Sequence, residues 1–151
     1  MTMLFVNLPV RDVQASAAFW AGLGFGTNPQ FCDERTTNVV IDDNIVVMLL
    51  ERSRFQDFVT GEIADPAAGT SALYCLSADS RDAVDSLADR ALAAGASAWK
   101  PAQDMGFMYG RSFADLDGHV WEVMWMDVAA AASAHEAHEA GAAGQLAEAS
   151  S

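Results

Sequence analysis

Residues Ser112–Asp127 read SFADLDGHVWEVMWMD. Two apolar runs flank Asp117-Gly118, a pair that favours the positive φ of a tight hairpin turn. The second run carries one acidic residue, Glu122, among apolar neighbours. An earlier stretch, Thr37–Glu51 (TNVVIDDNIVVMLLE), follows the same plan and turns at Asp43-Asn44. Superposing the turns sets Ile45 on His119, Val47 on Trp121 and Met48 on Glu122. The chain therefore reads as two versions of one unit, and only the second keeps a carboxylate at the shared position.

Working outward, the same order of elements precedes each hairpin. Residues 3–10 alternate, with Leu4, Val6, Leu8 and Val10 on one face and Phe5, Asn7 and Pro9 on the other. Asp12 can cap a helix carrying Val13, Ala17 and Trp20 at helical spacing, which Gly22 and Gly24 end. A strand is expected over Phe25–Phe31, then the first hairpin. The second unit repeats this with a strand at Ser71–Ala78, a helix capped by Asp79 or Ser80 and stopped by Gly95, and a short strand at Ala96–Lys100. Gln103–Gly106 reads as a loop and Met108–Asp115 as the first arm of the second hairpin.

Each unit is thus strand–helix–three strands. The expected fold class is α+β, two βαβββ modules at 3–50 and 71–126 within a domain spanning 1–127. Residues 51–70 break the pattern and read as a linker with a short helix around Phe55 and Phe58. Residues 128–151 are alanine-rich with no large apolar face before Leu146, which predicts a frayed helix or a disordered tail.

The chain has 151 residues, 52% of them hydrophobic, enough for one compact core. No apolar run reaches the length of a membrane span and the start lacks a leader pattern, so a cytoplasmic protein with no membrane partner is expected. The net charge of −13 argues against nucleic acid, whose phosphates it would repel, and is compatible with a cationic ligand. Cys32 and Cys75 form neither a disulfide framework nor a CxxC motif.

The stretches LPVRDVQASAAFWAGLGF, VDSLADRALAAGA and FADLDGHVWEVMW together resemble the glyoxalase / bleomycin-resistance / extradiol dioxygenase group, the vicinal oxygen chelate superfamily, and proteins loosely called predicted lactoylglutathione lyases. The resemblance covers residues 3–127. It implies modules whose sheets curl around a cavity, and a homodimer that often builds the cavity from both chains. In metal-dependent members it also implies a His or Glu ligand on the first and last strand of each module. Those positions here are Phe5, Met48, the strand at 71–78, where only Cys75 could ligate, and Glu122. One carboxylate cannot hold a catalytic divalent ion, so no metal and no cofactor are expected.

Glu122 is the candidate catalytic or anchoring residue. It alternates onto a face with Val120, Met124 and Met126, opposite Trp121, Val123 and Trp125. A carboxylate there serves either a ligand or a buried pair with Arg111, which a two- or four-residue turn would place on the same face. Candidate ligand-binding residues are Phe5, Asn7, Met48, Phe107, Tyr109, Arg111, Phe113 and Met124, an apolar lining with one arginine. His119 reads as a turn histidine, and His135 and His138 as solvated. Two function classes stand. One is a metal-independent binder of a small, aromatic or cationic molecule, as the resemblance to bleomycin-resistance members implies. The other is a lyase, isomerase or dioxygenase that uses Glu122 as general base or metal ligand.

Overall fold

The computed structural model describes residues 1–149; Ser150 and Ser151, the end of the expected tail, lie outside the described residues. The first module opens with strand β1 (Leu4–Val10) and helix α1 (Val13–Gly22), followed by β2 (Thr36–Asp42) and β3 (Ile45–Glu51). Its sheet runs β1-β3-β2, with β1 parallel and β2 antiparallel to β3. A short helix α2 (Arg52–Gln56) begins the crossing to the second module. That module comprises β4 (Leu73–Ser77), α3 (Arg81–Ala93), two-residue strands β5 (Ser97–Ala98) and β6 (Gln103–Asp104), β7 (Met108–Ala114) and β8 (Val120–Met126). Its sheet runs β4-β8-β7-β5, with β6 also on β7. The fold is α+β, and each sheet is open.

The two modules share their strand logic. In each, the first strand lies parallel to the last, and the strand before the last pairs antiparallel with it. Helix starts and stops follow the local chemistry. The Asp12 carboxylate accepts from the backbone N–H groups of Gln14 and Ala15, and the Ser80 hydroxyl accepts from that of Ala83. Just past the helix ends, Gly24 and Gly95 take φ of +96° and +111°, where a side chain would strain the backbone.

One core serves both modules, because both sheets turn their β-strand apolar faces toward α1 and α3. Phe19 and Trp20 of α1 meet Phe113 of β7 and Trp121 of β8, with ring centroids 6.3 Å apart for Phe19–Phe113 and 4.6 Å for Trp20–Trp121. Trp121 also lies 5.0 Å from Tyr74 and is 1% exposed. Burying such rings removes more apolar surface from water than any other side chain here can.

Three local expectations are corrected. Phe25–Phe31 is not a strand. It makes one bridge, Gly26 to Val40, and then a 3-10 turn at Pro29–Phe31, whose Pro29 favours the turn's φ and has no N–H to give a ladder. Gln103-Asp104 pairs with β7 instead of looping free. The short helix is Arg52–Gln56 and stops before Phe58. Of the two forms expected for the tail, its described residues take the helix, α4 (Val128–Ala149), which their alanine content favours.

Candidate functional site

The hairpin that decides the fold also decides which side chains can meet. Ala114 pairs with Val120, so an odd number of residues, Asp115–His119, joins β7 to β8. Asp117 keeps a negative φ and only Gly118 goes positive, at +90°. The organiser of this turn is Asp115, which is buried. Its Oδ1 accepts from the backbone N–H groups of Asp117 and His119 at 2.9 and 3.0 Å, and its Oδ2 accepts from Trp121 Nε1 at 3.0 Å. Burial pushes its carboxyl pKa up, opposed by His119 and these hydrogen bonds. An aspartate two residues before Asp-Gly is an Asx-turn signal that sequence reading passed over.

An odd connection reverses the parity assumed for Arg111. It pairs with Val123, so it shares the helix-side face with Trp121, opposite Glu122. Its Nη1 donates to Asp85 at 3.1 Å and to Asp89 at 2.7 Å, two aspartates one turn apart on α3. Tyr109 joins them, donating its hydroxyl to Asp85 at 2.7 Å. This bond and Arg111 hold the Asp85 carboxyl below its usual range, and the same bond raises the Tyr109 pKa. Phe113 is fully buried in the shared core. The pairing of Arg111 with Glu122 is therefore corrected, and Tyr109, Arg111 and Phe113 face the helix.

On the far face, turned away from α1 and α3, register defines one matched rung in each module. Asn7 lies beside Met48, and Asn38 beside Met48 on its other flank. Cys75 lies beside Glu122, and Ser112 on its other flank. Asn7 and Cys75 each stand five residues before their helix cap, which makes the two rungs equivalent. Asn38, 1% exposed, receives the backbone N–H of Asn28 and donates to its carbonyl, both at 2.8 Å. The Ser112 hydroxyl accepts the backbone N–H of Lys100 at 3.1 Å. So the segment after each helix is tied over the far face by its module's rung.

Glu122 is half-buried, and among the described residues no hydrogen bond or ion pair engages its carboxylate. Beside it, partial burial and the Glu122 charge push the Cys75 thiol up, which keeps it protonated. Met48 and Met124 are half-buried on the same far faces, while Phe5 and Asn7 are exposed. Phe5 sits edge-on to Phe31 at 5.9 Å. Phe107 is half-buried just before β7. These residues do not converge on one cavity within the chain: the crevice touching Glu122 and Met124 holds only about 10 Å³.

A catalytic divalent ion does not fit this donor set. The first-strand positions hold Phe5 and Leu73 or, one rung on, Asn7 and Cys75; the last-strand positions hold Met48 and Glu122. Among the described residues, no three His, Cys, Asp or Glu side chains gather to hold a metal. The described part of the chain also has no helix long and apolar enough to cross a membrane.

Residues 2–123 match the family model described as Glyoxalase/Bleomycin resistance protein/Dioxygenase superfamily. Among solved structures, a hypothetical protein from S. aureus aligns with TM-score 0.71 at 24% identity, over 83% of this chain and 94% of its own. A glyoxalase-related enzyme from Fulvimarina pelagi aligns with TM-score 0.72 at 22% identity, over 85% and 90%. A lactoylglutathione lyase from Agrobacterium tumefaciens aligns with TM-score 0.60 at 16% identity, over 82% and 92%. No curated protein matches the chain.

Proposed function

The chain belongs to the Glyoxalase/Bleomycin resistance protein/Dioxygenase superfamily, and from that premise we propose that it binds a small organic cation with an aromatic part, without a metal ion. Glu122 is the anionic anchor. The observation that carries this reading is its carboxylate, half-buried on a largely apolar strand face with no hydrogen-bond or ion-pair partner among the described residues, because Arg111 is committed to Asp85 and Asp89. A carboxylate beside Met124 and Val120 that no described side chain engages is available for a charge-assisted contact with a cationic ligand. Nothing in the fold demands an acid on this rung, since Met48 fills the equivalent place.

The far faces are too open to enclose a ligand by themselves. Phe5 at 42% exposure and Phe31 at 41% stand out on the first module, and Leu73 at 49% and Met126 at 43% on the second. These exposed apolar side chains support a homodimer in which the first-module far face of one copy covers the Glu122 face of the other.

A thermal-shift screen with matched cationic, neutral and anionic aromatic compounds tests the reading, alongside light scattering. Cations should raise the melting temperature of a particle of twice the chain mass. Glu122→Gln should weaken the best of them at least about tenfold, the order expected for losing a charge-assisted contact. A best ligand that is anionic, or one bound equally by Glu122→Gln, contradicts the proposal.

A further inference from the structure

Beyond Val120, on the side away from Met124, the segment joining the two modules roofs a cavity of about 210 Å³ that also touches Asn7. Its floor is the end of β1 with Leu8 and Pro9; its walls are Phe55, Ile63, Tyr74 and Val120. The roof is held in place. Gln56 Nε2 donates to the Gly61 carbonyl at 2.9 Å, and Asp65 Oδ1 accepts the Ala67 backbone N–H at 3.0 Å. Pro66 is packed so closely on the β7–β8 turn that a Cβ on Gly118 would lie 3.2 Å from it. His119 Nε2 donates to the Pro9 carbonyl at 2.8 Å and pins that turn to β1. The carbonyl can only accept, so the neutral imidazole carries its proton on Nε2 and leaves Nδ1 as an acceptor.

The chemistry of the lining selects the ligand. The chain carries 8 Lys and Arg and 21 Asp and Glu, yet none of these lines the cavity. A charged guest would be desolvated there without a countercharge. Volume sets the size: an engineered apolar cavity of about 150 Å³ takes up benzene, so this one suits a single ring with a small substituent. The polar side chains among the lining, Asn7, Thr70, Ser71, Tyr74 and His119, suit a hydroxyl or carbonyl on that ring. We infer that the cavity between the modules, lined by Leu8, Phe55, Ile63, Tyr74, His119 and Val120, is a second binding site for an uncharged single-ring molecule bearing one hydroxyl or carbonyl.

This site differs from the proposed cation site in charge preference and needs no second copy. Phenol is the probe, with benzoate and benzylammonium as charged counterparts, in a titration followed by backbone amide NMR. Phenol should saturate one site and shift amides around residues 8, 55, 63 and 120. At these amides benzoate and benzylammonium should each bind at least tenfold more weakly, whatever benzylammonium does at the Glu122 face. Ala72→Trp, or Ile63→Trp from the roof should the first fail to fold, should fill the cavity and weaken phenol at least tenfold, whereas Glu122→Gln should leave phenol unchanged. The inference is overturned by an absence of saturable phenol binding, by benzylammonium shifting the same amides with equal affinity, or by phenol binding that Glu122→Gln weakens and cavity filling does not. None of these outcomes decides the cation site, which is read from the response of cationic ligands to Glu122→Gln.

Discussion

The two modules have one backbone plan and two different far faces. In the first, the rung is Asn7, Met48 and Asn38, and Asn38 is consumed in holding Asn28. In the second, the rung is Cys75, Glu122 and Ser112, and Ser112 holds Lys100 while Glu122 is left free. The comparison separates what the fold requires from what it tolerates. Both modules keep the capped helix, the glycine stop and the polar tie over the far face. Only one keeps a carboxylate, so the carboxylate is not part of the scaffold.

The helix-side faces are the place to press this comparison hardest. Val47 and Trp121 occupy equivalent positions, 3% and 1% exposed, but only Trp121 contacts both Trp20 and Tyr74 and donates to Asp115. Trp121→Ala should cost about 3–5 kcal/mol in urea unfolding. Val47→Ala should cost less, about 1.5–3 kcal/mol. Equal losses would mean that the core is not centred between the modules.

A smaller effect distinguishes the glycine stops. An alanine at Gly24 places its Cβ 3.6 Å from Arg90 Nη1, the far end of a flexible side chain, whereas at Gly95 it meets Leu116 Cδ2 at 3.1 Å. Both carry positive φ, so Gly24→Ala should lose about 1–2 kcal/mol and Gly95→Ala should lose more. A reversed order in thermal melts would show that the second helix end is the looser of the two.

Much of the fold was legible because alternation, capping residues and glycine stops are local signals, and each recurs in the second half. The equivalence of Met48 and Glu122 was legible for the same reason. The facing of Arg111 was not. It depends on whether an even or odd number of residues joins β7 to β8, and Asp117-Gly118 suggests a tight turn while Asp115 builds a wider one through three hydrogen bonds. The aspartates that take Arg111 were visible as an Asp85–Asp89 pair one turn apart, but only register brings them over β7. His119 read as a turn residue, and its bond to Pro9 across the modules joins positions 110 residues apart, which no local pattern reveals.

Equilibrium urea unfolding of Glu122→Gln without ligand tests most directly the claim that the carboxylate is functional and not structural. The substitution keeps the shape of the side chain and removes its charge. With no protein partner to lose, its stability should match the wild type within about 0.5 kcal/mol. A loss of about 1–3 kcal/mol, the cost of breaking a buried hydrogen-bonded partnership, would contradict the account and return Glu122 to the scaffold.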